Sequence, residues 1–274
     1  MSAIALAALD LDGTLLRDDG TVSSRNAAAI EAAHAAGVEI VLATGRPWIV
    51  AKSTVAEIDA RSFVITSNGA LTVQPPDWNT FDARWMDTAD AVAFVEGARA
   101  AVPGVGVAIE FGHGAYSEPG FAERLPPSVP TRPPVADVLA VVDEHGPIRN
   151  LMLWHDDFVD RLHDLGELLD HLVSHDGVEL KMSGLPVVQF CPAGIDKSTA
   201  LAVVAGELGV DQHRVVAFGD EHNDVGMLSW AGIGVAMGNA VDEARAAADE
   251  TTLTNEEDGV AVVLERLLGG APDG

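Results

Sequence analysis

The segment Leu6-Ala7-Ala8-Leu9-Asp10-Leu11-Asp12-Gly13-Thr14-Leu15-Leu16 constrains the fold more than any other part of the chain. Residues 4–9 are almost wholly apolar and stop at a turn signal, the pattern of a central strand in a parallel sheet covered on both faces. Ligands in such sheets sit beyond the carboxyl ends of the strands. Asp10 and Asp12 are therefore expected at the working edge of the sheet, close enough to share one divalent cation. An Asp-x-Asp pair also arises by chance in an acidic chain, so its meaning depends on what else reaches the same edge.

Further along, Ser23 is a good N-cap for an alanine-rich helix to about Ala36, and Gly37 closes it. Val38–Ala43 reads as a second strand, ending in Thr44-Gly45-Arg46-Pro47, where the proline suits the first turn of a helix reaching Ile58. Phe63–Thr66 reads as a third strand, ending in Ser67-Asn68-Gly69. Strand, helix, strand, helix, strand predicts right-handed crossovers and a parallel sheet.

Pro75-Pro76-Asp77 then reads as a boundary. Beyond it the pattern predicts a helix over Asp87–Val102, a strand over Val105–Phe111 and a proline-rich loop over 125–134. A helix over Val135–Glu144, a strand over Ile148–Trp154, an amphipathic helix over Phe158–Val173 and a strand over Val178–Met182 follow. From Val187 the first style returns: strand Val187–Cys191, helix Thr199–Leu208 after Ile195-Asp196-Lys197-Ser198, strand Arg214–Phe218 ending in Gly219-Asp220, strand Gly232–Met237 and helix Val260–Leu268. The expected fold class is α/β, a Rossmann-like parallel-sheet core of residues 1–79 and 187–274 with an inserted α+β domain of residues 80–186.

Forty-two acidic side chains against 16 basic ones give a net charge of -26, which disfavours nucleic acid and anionic membranes as partners. An anionic substrate would need local cations, a metal ion and a few placed Lys or Arg. The single cysteine, Cys191, leaves no internal disulfide and fits a reducing compartment. The N-terminal stretch has no basic region or small-residue cleavage site and no run reaches membrane-spanning length, so the expected location is the cytoplasm. Oligomeric state is not legible.

Three strand ends thus carry matching polar residues: Asp10 with Asp12, Thr44, and Asp220 with Asn223 and Asp224, joined by Lys197 at a helix start. A parallel sheet brings these ends to one edge. Asp10-Leu11-Asp12-Gly13-Thr14-Leu15, Thr44-Gly45-Arg46, Lys197 and Gly219-Asp220-Glu221-His222-Asn223-Asp224 resemble, in order and spacing, the four motifs of the haloacid dehalogenase (HAD) superfamily. Ser67-Asn68-Gly69-Ala70 and Gly194-Ile195-Asp196-Lys197 add a resemblance to its Cof-type sugar-phosphatase branch. The likeness covers about residues 1–75 and 187–255; the middle matches only by position, as the large cap of that branch.

The resemblance implies a phosphatase acting on a small phosphate ester, a sugar phosphate above all, with Mg2+ as cofactor. Asp10 would be the nucleophile that forms a phosphoaspartate. Asp10, the carbonyl of Asp12 and Asp220 would hold the metal. Asp12 would be general acid and then base, with a pKa raised by neighbouring carboxylates. Thr44 and Lys197 would meet the transferring phosphoryl, together with backbone donors at Leu11 and Gly45. Asn223 and Asp224 would hold Lys197 and the metal's waters. Arg46 either binds substrate or ties the helix start to another loop, and Asn68 either reaches substrate or is an ordinary turn residue. A phosphomutase using the same phosphoaspartate, or a binding protein on this scaffold, remain the other readings. His171 and His175 lie one helical turn apart, but a solvated helix face explains them better than a metal. Trp154 with His155 is better read as core than as a substrate contact.

Overall fold

The computed structural model describes residues 4–58, 60–112, 114–125, 132–173, 176–183 and 185–269. Five strands open the chain: β1 (Leu6–Leu9), β2 (Glu39–Ala43), β3 (Val64–Thr66), β4 (Leu71–Gln74) and β5 (Asn79–Ala83). Five follow in the middle: β6 (Gly106–Phe111), β7 (Gly114–Ser117), β8 (Ile148–Trp154), β9 (Val178–Lys181) and β10 (Val188–Pro192). The last are β11 (Val215–Gly219), β12 (Ile233–Ala236) and β13 (Glu250–Thr251). They form an eight-stranded sheet, β13-β12-β11-β1-β2-β3-β4-β5, and a five-stranded sheet, β7-β6-β8-β10-β9.

The eight-stranded sheet is the α/β part of the fold. From β13 to β3 neighbouring strands run parallel. Every residue of β1, β3 and β11 is buried, which is why these segments read as unbroken apolar runs. Leu6, Ala8, Val41, Ala43, Ile65, Val215 and Ala217 share one core with Ala200, Leu201 and Val204 of the helix Lys197–Glu207 and with Met227 and Leu228 of the helix Val225–Trp230. β1 lies between β2 and β11, so the strand order reverses beside it, the position at which such sheets bind ligands.

The five-stranded sheet is antiparallel throughout. Val107, Ile109, Leu151, Leu153 and Phe190 line one core with Ala91, Phe94, Val95 and Ala98 of the helix Thr88–Ala101 and Leu165 and Leu169 of the helix Leu162–Leu172. The rings of Phe94 and Phe190 lie 4.4 Å apart. By their contacts, residues up to Thr44, Thr54–Asp82 and Asp196 onward make one unit, and Gly45–Ser53 with Ala83–Ile195 make the other.

The strand at 187–191 does not belong to the core sheet: β10 pairs with β8 and β9, and the second unit runs to Ile195 rather than ending at 186. Val187, Val188, Phe190 and Cys191 are buried on both faces of an antiparallel sheet, which gives the same apolar run as a buried parallel strand. The pair Pro75-Pro76 lies in the turn between β4 and β5, inside the eight-stranded sheet, so the boundary falls after residue 79, at Asp82. β4 runs antiparallel to β3, so the sheet is parallel only in part. Val135–Glu144 is a 3-10 turn, Val138–Val141, followed by the short helix Val142–His145. Most of the proline-rich stretch 125–134, and His175 of the histidine pair, lie outside the described residues. Among the described residues no helix is long and apolar enough to cross a membrane.

Candidate active site

Asp10 follows β1 directly, and its N–H donates to the carbonyl of Phe218 (3.1 Å) on β11. The chain then curls back, with the Leu16 N–H donating to the Leu11 carbonyl at 2.8 Å. Thr44 follows β2, buried, its N–H on the Ile65 carbonyl (2.9 Å) and its own carbonyl accepting from the Asn68 N–H (3.3 Å). Asp220 follows β11. Asp10, Thr44 and Asp220 thus each stand just beyond the carboxyl end of a strand in the parallel part of the sheet.

The centre is a buried ion cluster. The Lys197 ammonium, 1% exposed, donates to Asp10 Oδ1 and Asp224 Oδ1, each at 2.6 Å. Lys197 is the first residue of its helix, an end whose dipole disfavours a cation. Asp196 caps that helix, accepting from the Thr199 N–H (2.8 Å) while Thr199 Oγ1 accepts from the Asp196 N–H (3.0 Å). Burial pulls the Lys197 pKa down, but Asp10 and Asp224 outweigh it and hold the ammonium above its ordinary range, so it is charged at any physiological pH. Burial drives the Asp10 pKa well up, opposed by Lys197 and reinforced by Asp224, Asp220 and Asp12.

Asp224 is held at both oxygens, since its Oδ2 accepts the N–H groups of Asp220 and Glu221, each at 3.0 Å. Asp220 is held differently: Thr14 Oγ1 donates to Oδ1 at 2.7 Å and Asn239 Nδ2 approaches Oδ2 at 3.3 Å. Burial and then Asp224 push its pKa up to about 7. A folded-state pKa above the unfolded one contributes stability at low pH that is lost as pH rises through about 7. In EDTA, the wild-type melting temperature is therefore expected to fall between about pH 4 and 7, and to level off above that, relative to an Asp220→Asn variant, by the equivalent of a few kcal/mol at most. Parallel pH profiles of the two proteins would refute this assignment.

Gly13 is where the two loops meet. Its φ is +74°, a left-handed conformation, and a Cβ there would lie 2.2 Å from Asp220 Oδ2. A Gly13→Ala change is expected to displace the Asp220 carboxylate and cost at least tenfold in turnover, with a loss of about 1–3 kcal/mol in stability, read by kinetics and chemical denaturation.

Asp10, Asp220 and Asp224 bring ligand atoms within 4.8 Å of one another, a set able to hold a divalent cation. The donors are hard carboxylate oxygens, which suit Mg2+. Asp224 spends its oxygens on Lys197 and two backbone N–H groups, so Asp10 and Asp220 are the better ligands of the three.

Asp12 lies half-buried in the loop after β1, bridged through its backbone to Leu16, and Leu11 is buried beside it. Asn223 Nδ2 donates to Asn68 Oδ1 at 2.8 Å. Ser67 (φ 51°), Asn68 (φ 54°) and Gly69 (φ 99°) are successively left-handed, and a Cβ on Gly69 would lie 2.1 Å from the Asp196 carbonyl oxygen. Such a strained run persists only where its surroundings impose it, and here it carries the amide of Asn68 to Asn223. Gly45 and Arg46 group with the second unit, where Gln189 Nε2 donates to the Gly45 carbonyl (3.0 Å) and the Trp48 N–H donates to Glu110 Oε1 (3.2 Å). Trp154 is core, and His155 accepts from the Asp157 N–H (3.1 Å), a structural cap. Sequence reading assigned no role to Thr14, Gly13 or Asn239; a polar residue just past β12, the next strand of the sheet, was the signal for the last of these.

A buried aspartate, a lysine bridging two carboxylates and a second acidic turn thus meet at the carboxyl edge of a partly parallel sheet, the edge at which α/β proteins place their sites. Residues 7–264 match the family model described as haloacid dehalogenase-like hydrolase, and the chain belongs to that family. It is similar to a 5-amino-6-(5-phospho-D-ribitylamino)uracil phosphatase of Bacillus subtilis, YcsE, 31% identical over 265 residues that cover 97% of this chain and 96% of the relative. Pyridoxal phosphate phosphatase YbhA of Escherichia coli is 29% identical over 262 residues, 93% of this chain and 95% of that one. Among solved structures, BT1666 of Bacteroides thetaiotaomicron, a HAD-superfamily phosphatase, superposes with a TM-score of 0.77 at 28% identity, covering 96% of this chain and 95% of that one.

Proposed function

We propose that the chain is a Mg2+-dependent phosphatase that hydrolyses a small phosphorylated metabolite, a sugar phosphate or a phosphorylated sugar-alcohol derivative, through a phosphoaspartate on Asp10. The observation that carries this reading is Lys197, buried and bonded to Asp10 and Asp224, with Asp220 within shared reach of a cation. The names of the relatives, which specify phosphate monoesters of small metabolites, support it.

Asp10 and Asp220, with the Asp12 carbonyl, would hold Mg2+, whose charge offsets the repulsion between a carboxylate nucleophile and a phosphate ester. In the first step an Asp10 oxygen forms a bond to phosphorus as the bond to the leaving oxygen breaks, and Asp12 delivers its proton to that oxygen. In the second step Asp12 takes a proton from water, whose oxygen bonds to phosphorus, releasing phosphate and regenerating the Asp10 carboxylate. Lys197 neutralises charge beside Asp10 throughout, and the Thr44 hydroxyl donates to a phosphoryl oxygen. Phosphoryl transfer needs positioning and charge compensation more than new covalent machinery, which matches this residue set. Leu11 and Gly45 would add backbone donors, Arg46 a cation, and Asn68 with Asn223 a polar wall. With one cysteine and no internal disulfide, the chain suits the reducing cytoplasm, where we place it.

The test is phosphate release, with Mg2+ and with EDTA, from a panel holding hexose and pentose phosphates, 5-amino-6-(5-phospho-D-ribitylamino)uracil and pyridoxal phosphate. Hydrolysis of a subset, lost in EDTA, is expected. No phosphate from the panel, with p-nitrophenyl phosphate also intact, would overturn the reading, and rearranged sugar phosphate without free phosphate would make the protein a mutase.

A further inference from the structure

Asn239 lies in the turn after β12, and that turn brackets the acidic loop. The Met237 N–H donates to the Gly219 carbonyl (3.0 Å) and the Val241 N–H to the Asp220 carbonyl (2.9 Å), so the backbone on either side of Asn239 is fastened to Asp220 and its neighbour. The side chain continues the connection. Asn239 Nδ2 donates to the Gly13 carbonyl at 2.8 Å and approaches Asp220 Oδ2 at 3.3 Å. Its Oδ1 accepts from the Asn255 N–H at 3.2 Å. A backbone N–H can only donate and a carbonyl can only accept, so the amide has one satisfied orientation, with its NH2 toward Gly13 and Asp220. Asn255, itself buried, donates through Nδ2 to the Leu16 carbonyl (3.0 Å) and Asp18 Oδ1 (3.1 Å). Two asparagines thus join both ends of the 13–18 loop to the loop of Asp220.

We propose that Asn239 is a positioning residue for the metal site: it fixes the Asp220 carboxylate relative to the loop that follows the nucleophile. Thr14 holds Oδ1 and Asn239 holds Oδ2, so the plane of the carboxylate is set by one donor on each oxygen. Without Asn239 the Asp220 side chain keeps only the Thr14 bond and can turn about it. This rests on the reading of Asp220 as a metal ligand.

The experiment is isothermal titration of the EDTA-stripped, dialysed protein with MgCl2, for wild type, Asn239→Ala and Asn239→Asp, together with melting temperatures in EDTA. Both variants are expected to bind Mg2+ about 10–100-fold more weakly than wild type, the range for groups that orient metal ligands. Asn239→Asp should be the weaker, because its carboxylate faces two acceptors. Melting temperatures in EDTA should stay within a few degrees of wild type. Turnover lost at low Mg2+ should be recovered in Asn239→Ala at saturating Mg2+, a split that a merely structural role would not give. Wild-type affinity in Asn239→Ala overturns the proposal whatever the aspartate does, and so does an unfolded Asn239→Ala, which would make the residue a structural one. No Mg2+ binding by wild type would instead overturn the metal reading itself.

Discussion

Replacing Asp10 by asparagine is expected to lower phosphate release by about 10⁴-fold or more, the scale seen when a covalent nucleophile is removed. The amide has nearly the same shape and still offers Lys197 an acceptor, but it lacks the anionic oxygen that, in the mechanism we propose, bonds to phosphorus. Stability should move the other way. Burial pushes the Asp10 pKa well above the carboxylate range, so the folded protein holds this charge at a cost that asparagine does not bear. A melting temperature equal to or above wild type, measured in EDTA, would separate lost chemistry from lost structure. Acid quenching during turnover should trap a phosphoenzyme in wild type and none in Asp10→Asn. A variant that turns over at the wild-type rate would mean that the nucleophile lies elsewhere.

Lys197→Met should have the largest structural effect. The ammonium sits between Asp10 and Asp224, which are themselves buried, and methionine fills similar volume without the charge. Removing one partner from a buried ion cluster leaves the others uncompensated, at a cost of about 3–5 kcal/mol. Chemical denaturation in EDTA should show that loss, and turnover should fall by about 10²–10³-fold, as when a charge-stabilising group leaves an active site. Mg2+ should raise the melting temperature of the variant more than that of wild type, because a cation near Asp10 and Asp220 replaces part of the missing charge. Equal Mg2+ shifts in the two proteins would show that Lys197 and the metal act on separate groups.

The parts of this molecule legible in its sequence are those where burial and function act on the same few residues. β1 could be read because a strand buried on both faces is a run of apolar residues, and because Asp10 ends it abruptly. Lys197, Asp220 and Asp224 could be placed together because a parallel sheet sends its strand ends to one edge. The boundary near residue 187 could not be read, since β10 is as buried in its antiparallel sheet as β11 is in its own and leaves the same pattern. β4 and β5 were missed because Pro75-Pro76 in the turn between them looks like a linker. Thr14 and Asn239 were passed over for another reason: neither is charged, and each matters through a hydrogen bond to a carboxylate some two hundred or about twenty residues away in sequence. Nothing local marks such a donor.

The place of β1 in the sheet bears on how the chain is made. Leu6 pairs with Val215 on one side and Glu39 on the other. The second neighbour is synthesised early, the first about 200 residues later, which at about 5–20 residues per second is on the order of ten to forty seconds. Through that interval the ribosome-bound chain presents Leu6–Leu9 as an apolar strand with one open edge, the kind of surface that templates misassociation. Within that interval β6 to β10 form an antiparallel sheet of their own, so much of the delay is filled by strands that pair among themselves. Holdase chaperones should therefore engage nascent chains from which Val215–Gly219 has not yet emerged and release those from which it has.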